Sequence, residues 1–546
     1  MVADHDPSGL SGRSRSVGRR IDRASLSDSL VCPCGRGYRP QQWFGRYPET
    51  RPARLTGGPV PLLRRAQAVA VIAFAVAASS ISLSTPAVGA PADDPADCSS
   101  PGPTLRYLVV FEQGTPRSDA KAEVDQACGT TSVYYPEIAV GVATSPDPRF
   151  AERFGTDRAF SAQGEQLSHK SRSPASTERG NAGDERELAP TDPATVPTAD
   201  RSAEQWDITM IGAGAAREIN PGSSEVTVGV LDSGIDAAHP DLRDAVDSDA
   251  SASCLTGKPD TRPEAWAPTT STHGTHVAGT IAAADDGKGT TGIAPATRLA
   301  AVKVVDDSGY INPEAAVCGF MWAARNGMDV TNNSFFVDPW TFTCEQGPGH
   351  EVVYEAVRRA VDYATSREVL NVAAATNEST NLGALASGEP GDRATAPSED
   401  CRVLPAGLRD VVAVSAVGYD RLKAGYSSYG LGVIDVTAPG GDRRQRAPGG
   451  DGCVLSTVPG GYDKYCGTSM AAPHVTGVAA LLAAENPGSS PEELRRMMGD
   501  DARPVACPAD YDMDGSGTQD AYCAGYSGYN GFYGHGMVDA LAAVRN

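Results

Sequence analysis

The sequence predicts an α/β fold with a mainly parallel central sheet flanked by helices, preceded by a small α/β unit. Three observations predict it. From 202 to 546, short runs rich in Val, Leu and Ala alternate with helical segments, the pattern of crossover connections between parallel strands. From 91 to 154 a compact strand and helix pattern stands by itself. Between them, 155–201 is Ser, Thr, Pro, Gly and charge, with too few large apolar residues to offset the entropy of ordering; it reads as a flexible, cleavable linker.

In chain order, residues 1–58 are rich in Arg and differ from the acidic remainder; they are expected to be an upstream extension, disordered or not translated. Residues 59–90 place Arg64 and Arg65 before an apolar run and end in Val88, Gly89 and Ala90, the layout of a secretory signal peptide cut after Ala90. The unbroken apolar run is shorter than the roughly 20 residues of a spanning helix, so no stable membrane anchor is expected. In the small unit, 105–111 and 132–142 read as strands and 118–128 as a helix. In the long segment, strands are expected at 225–231, 299–305, 369–374 and 411–415, with another starting at Asp329. Helices are expected at 276–284, 313–326, 350–366 and 469–485. In such sheets the site lies at the carboxyl ends of the strands.

Asp and Glu outnumber Lys and Arg by 68 to 47, a formal charge of −21. That balance offers no general attraction to nucleic acid or an anionic membrane. Of the 12 Cys, two precede the signal, two follow it closely and eight lie further on. Even numbers in both exported segments suit disulfides formed in an oxidising compartment outside the cell. Two local pairs are expected, Cys453 with Cys466 and Cys507 with Cys523. The spacing shows no C-x-x-C pairs with partner histidines, which disfavours zinc, and Cys32 and Cys34 lack a second pair nearby.

Attack on a carbonyl by serine needs a hydroxyl, a base to take its proton and a carboxylate to orient that base. Three segments supply these parts. Val228-Gly-Val-Leu-Asp232-Ser-Gly ends a buried-type strand with a carboxylate followed by a turn. Thr272-His273-Gly-Thr-His276 puts an imidazole at the start of a helix of small residues. Gly467-Thr-Ser469-Met-Ala-Ala-Pro-His474 puts a hydroxyl at the start of another, where free N–H groups and the helix dipole favour negative charge. Each alone has an ordinary structural reading: a turn residue, a core histidine, an N-cap.

Together, in the order Asp, His, Ser, the three blocks resemble those of the subtilisin-like serine proteases. The similarity runs over about 225–546 and includes the stretches at 296–305, 424–430, 435–440 and 534–540. The resemblance implies a subtilisin-like fold and a serine endopeptidase acting on polypeptide substrates. It implies Ser469 as nucleophile, His273 as general base and then acid, and Asp232 as the group that fixes the imidazole tautomer. His239, His276 and His474 would fill structural positions. Asn377 would be the oxyanion-hole asparagine, although its usual Gly neighbour is Thr376 here. Ser334, Phe335 and Phe336 match the strand that binds substrate, and a ring at Phe336 would reshape the specificity pocket unless it turns into a loop core with Trp340. By position, 91–154 matches a propeptide that inhibits its own enzyme and is cut away, the cut falling at about 191–206.

The resemblance calls for no cofactor in the chemistry, no catalytic metal, and a secreted monomer. Family members often bind structural calcium. Asp510, Asp512 and Asp514 imitate the first half of a calcium loop, but Ala521 stands where a bidentate Glu belongs, so a disulfide-closed acidic turn is the expectation. A silent binding protein would lack one of the triad groups, and a lipase would carry G-x-S-x-G where this chain has G-T-S-M-A. A broad protease and one dedicated to a single leader peptide remain alternatives.

Overall fold

The computed structural model describes residues 98, 102–170, 188, 191–383, 401–447 and 450–545. The expected extension and signal, 1–90, lie outside the described residues. The first unit consists of β1 (Leu105–Val110), α1 (Arg117–Gln126), β2 (Thr130–Tyr135), β3 (Val140–Ser145), α2 (Phe150–Phe154), β4 (Ala159–Phe160) and α3 (Ala162–Lys170). Its four strands form an antiparallel sheet in the order β2-β3-β1-β4. The run expected as one strand over 132–142 is a hairpin, because Pro136 opens a turn that Ala139 closes at φ 50°. β4 and α3 also fall within the stretch expected as linker, so the ordered unit extends past Phe154.

The main unit follows: α4 (Trp206–Met210), α5 (Ala213–Arg217), β5 (Thr227–Asp232), β6 (Ala252–Ser253), α6 (Pro263–Trp266), α7 (His273–Ala282), β7 (Arg298–Lys303), α8 (Pro313–Arg325), β8 (Val330–Asn333), β9 (Thr343–Cys344), α9 (His350–Ser366), β10 (Leu370–Ala374), β11 (Cys401–Arg402), β12 (Val411–Val417), β13 (Val436–Pro439), β14 (Val454–Val458), β15 (Gly461–Tyr465), α10 (Thr468–Glu485) and α11 (Pro491–Asp501). Seven strands pair in parallel in the order β13-β12-β10-β8-β5-β7-β6. β5 lies between β7 and β8, and the chain crosses from one side of β5 to the other on passing from β7 to β8, so the carboxyl end of β5, where Asp232 sits, borders the switch point at which such sheets place their sites.

Local chemistry sets these elements. β5 is a continuous buried run, β-branched and small residues followed by Leu231 and Asp232. In α9 the buried Val353, Val357, Ala360, Val361 and Ala364 recur three or four residues apart, one apolar stripe against the sheet. α8 and α11 each begin with Pro at the first helical position, and Ser490 and Glu493 form a reciprocal cap at the start of α11.

The two faces of the sheet hold different cores. α7 and α10 pack on one, with Val228, Val230, Leu299, Val372 and Val414. α8 and α9 pack on the other, with Leu231, Ala300, Val302, Ala373 and Ala413. The N-terminal sheet completes this second core with Leu108, Val110, Tyr135, Val140 and Phe160, while its opposite face closes over α1 and α2 through Tyr107, Val109, Phe111, Phe150 and Phe154. Tyr135 donates to the Gly257 carbonyl at 2.8 Å, and Arg359 donates to the carbonyls of Phe111 and Ile138 at 3.0 Å each.

Part of the expected linker is docked rather than free. Val196 is buried, Leu188 N–H donates to Thr269 at 2.7 Å, and Ala199 and Arg201 bond to Gly289 on either side. One apolar side chain and paired backbone offset the ordering cost that composition alone suggested. Residues 171–187 of the linker lie outside the described residues. Disulfides join Cys98–Cys128, Cys254–Cys318, Cys344–Cys401, Cys453–Cys466 and Cys507–Cys523, including both local pairs expected from the sequence.

Candidate active site

Asp232 ends β5 buried, with one carboxylate oxygen accepting the Ser233 N–H at 2.7 Å. The chain then turns sharply: Gly234 has φ +99°, and a Cβ there would meet the Trp266 carbonyl at 2.3 Å. His273 opens α7, and its Nδ1 lies 2.9 Å from both carboxylate oxygens of Asp232. The approach needs glycine at the next position, since a Cβ on Gly274 would lie 2.4 Å from the Gly234 carbonyl and 3.1 Å from Asp232 Oδ1. A carboxylate accepts only, so Nδ1 carries the hydrogen and leaves Nε2 as the basic nitrogen. Burial works against the imidazolium, but the charge and hydrogen bond of Asp232 outweigh it and hold His273 above its ordinary value.

Ser469 is the second residue of α10, which packs against α7. Pro473 inside the helix has no N–H to offer the Ser469 carbonyl. The hydroxyl of Ser334 donates to that carbonyl instead, at 2.9 Å, and the Ser469 hydroxyl donates back to the Ser334 carbonyl at 3.2 Å. Ser334, expected to contact substrate, thus spends its side chain on the first turn of α10.

The other two residues expected in a substrate strand also differ in detail. β8 ends at Asn333, before any of the three. The chain leaves the sheet there because Val337 N–H bonds to Leu404 and Asp338 N–H to Ile311. Phe335 is buried in the α8–α9 core, and Phe336 is half-buried against the same core, as is Trp340. Trp340 itself stacks on His350 at 3.6 Å and leans on Phe160 at 5.0 Å.

Asn377 stands exposed just beyond β10. Its side-chain oxygen accepts from the backbone N–H of Thr468 at 2.9 Å and from its hydroxyl at 2.8 Å, which aims the amide nitrogen the other way. A methyl group placed on Gly467 would lie 3.6 Å from Asn377 Nδ2 and 3.7 Å from the Ser469 nitrogen. Two N–H donors therefore border one small space, and that of Ser469 is among those an α-helix leaves unbonded at its start. Thr468 was not singled out from the sequence; its hydroxyl between Gly467 and Ser469 was the available signal.

The other histidines are fixed elsewhere. His276 Nε2 faces the carbonyls of Val454 and Asp463 at 3.2 Å each, the ring stacks on Tyr465, and burial lowers it to about 3, so it is neutral. His239 Nε2 lies 3.0 Å from the Gly461 carbonyl. His474 Nδ1 faces the Met470 carbonyl at 2.7 Å, and its Nε2 lies 3.1 Å from Asp207, both side chains buried. No sequence signal pointed to Asp207. The carboxylates of Asp512, Asp514 and Asp520 come within 4.8 Å of one another inside the Cys507–Cys523 loop. Those of Asp512 and Asp514 accept backbone N–H groups of Ser516 and Gly517, as an acidic turn requires. Among the described residues no helix is long and apolar enough to cross a membrane.

A family model described as the subtilase family matches residues 223–536. The M-protease of Shouchella clausii is 34% identical over 341 residues, 62% of this chain and 70% of that protein. Subtilisin Savinase of Lederbergia lenta is 34% identical over 341 residues, 62% of this chain and 98% of that protein. The fold is that of the epidermin leader peptide processing serine protease of Staphylococcus aureus, at TM-score 0.55 and 20% identity, covering 81% of this chain and 98% of that one. With a parallel seven-stranded sheet, an Asp–His pair at its switch point and a serine at the head of a packed helix, the chain belongs to the subtilase family and is a serine endopeptidase.

Proposed function

We propose that the chain is a secreted endopeptidase made as a self-processing zymogen, with Asp232, His273 and Ser469 as its triad. The observation that carries this is the 2.9 Å contact of His273 Nδ1 with both oxygens of buried Asp232, which leaves Nε2 free to act as base. Rotation of the Ser469 hydroxyl from the Ser334 carbonyl to that nitrogen begins the reaction. Nε2 takes the proton as Oγ attacks the scissile carbonyl, and the imidazolium then gives it to the leaving amine. Water repeats the sequence on the acyl-enzyme and restores the serine. Asn377 Nδ2 and the Ser469 N–H stabilise the charge that develops on the substrate oxygen. These steps use only side chains and backbone.

The N-terminal sheet unit acts as the intramolecular inhibitor and is cut away between α3 and α4. Its support is the docking of that unit through the second core and the continuity of the chain into residues that lie on the main unit. The five disulfides among the described residues support passage through an oxidising compartment. Polypeptide binds as an extended segment pairing with backbone beside Ser334–Phe336.

The test is Ser469→Ala. It should abolish labelling by a fluorophosphonate and lower kcat by about 10⁶-fold, the scale found in a subtilisin, and the chain should accumulate uncut. Normal maturation of that variant would assign the cut to another protease. A cleavage profile of the wild-type enzyme on a peptide library separates broad hydrolysis from a single processing site, the activity named for the Staphylococcus aureus protein.

A further inference from the structure

The residue before Asn377 has a backbone conformation that its side chain disfavours. Thr376 has φ +77°, a region in which a β-branched residue is a genuine outlier. It is also buried, while Asn377 beside it is exposed. Ser379, two residues beyond Asn377, has φ +54°. The turn is laced to a second segment, 425–429, along its whole length. Thr376 Oγ1 bonds to Ser428 Oγ at 2.8 Å, and Ser428 N–H donates to the Thr376 carbonyl at 3.1 Å. Thr380 N–H donates to the same Ser428 hydroxyl at 3.3 Å. Ser379 N–H donates to the Tyr426 carbonyl at 2.9 Å, and its hydroxyl to the Gly425 carbonyl at 2.8 Å. Ser428 is itself fully buried, so its hydroxyl has no water to exchange for these partners.

We infer that Thr376 is a positioning residue for the reaction, and that its hydroxyl, held by buried Ser428, fixes the turn that aims the Asn377 amide. This rests on the oxyanion role proposed for Asn377. A glycine would enter this conformation without strain but would leave it free to relax. Threonine instead is held there by one side-chain bond and one backbone bond to the same partner. Asn377 is tethered on its other side through its own oxygen to Thr468, so the two attachments together define where Nδ2 points.

The test measures kcat and KM on a peptide substrate with processed enzyme, normalised by active-site titration. Thr376→Val keeps the shape and removes the hydroxyl. It should lower kcat about 3–10-fold, the rate equivalent of one neutral hydrogen bond, with KM within about twofold. Ser428→Ala should do the same, the double variant should be no worse than the poorer single, and Thr376→Ser should keep wild-type kcat. On an Asn377→Ala background Thr376→Val should cost nothing further, which a purely structural role would not produce. An unchanged kcat in both Thr376→Val and Ser428→Ala, or the same loss with and without Asn377, overturns the inference. If Asn377→Ala leaves kcat intact, the oxyanion reading falls first and takes this one with it. Should Thr376→Val not fold, the comparison of Ser428→Ala with and without Asn377 decides in the same way.

Discussion

The two faces of the central sheet are built from the same strands and do different things. One face carries α7 and α10, and with them His273 and Ser469; the other carries α8 and α9 and receives the N-terminal sheet. The first face has an apolar core of its own, and at its carboxyl edge it adds short, directional, polar contacts: Asp232 to His273, Ser334 to Ser469, Asn377 to Thr468. On the second they are mostly apolar, Leu108, Val110, Tyr135 and Phe160 against helices, with a few ties such as Arg359 to the Phe111 carbonyl. The difference teaches that reaction geometry and docking can be separated, because alternate residues of one strand, such as Val230 and Leu231, serve opposite cores.

The separation can be broken or sharpened by experiment. The largest effect belongs to Asp232→Asn, which should cost about 10⁴-fold in kcat by leaving the wrong imidazole tautomer. Added to the uncut Ser469→Ala chain, the same substitution should leave deuterium exchange in β1 unchanged; loss of protection there would show that the faces are coupled. Next comes Phe160→Ala, made in the uncut Ser469→Ala chain. Removing a buried ring that leans on Trp340 should weaken docking of the N-terminal unit by about 3 kcal/mol, read as faster exchange in β1 and earlier proteolytic release. The protection of α7 and α10 should hold. The smallest effect is on pH. In the proposed mechanism the base is neutral His273, and Asp232 raises its pKa, so the acid limb of kcat/KM should lie above the ordinary imidazole value near 6.5. Activity should rise as pH passes upward through that limb. In the residual activity of Asp232→Asn the limb should move down, and an unmoved limb would assign it to another group.

Much of the candidate site was legible in the sequence because its parts are local. A carboxylate ending an apolar strand, an imidazole opening a small-residue helix and a hydroxyl opening another are each written within seven or eight residues. β5, α8, α9 and α10 fall within two or three residues of where periodicity puts them. The hairpin at β2 and β3 was less legible, since the apolar run passes through its turn and only Pro136 marks the break. The docked part of the linker was not legible, because composition reports the entropy cost of ordering and not the one valine that offsets it.

By itself, then, the sequence determined the longer strands and helices of the main unit, the three chemical blocks and the two short disulfide loops, all of which depend on residues close together in the chain. Only the tertiary structure decided that Ser334 serves α10, that Thr376 is held at φ +77° by Ser428, that Asp207 meets His474, and that β4 belongs to the N-terminal sheet. Three of these join residues 52 to 267 positions apart, and β4 pairs with a strand some fifty residues earlier. Such contacts form only where chain closure is offset by burial and bonding, and no local pattern records which distant group will be waiting.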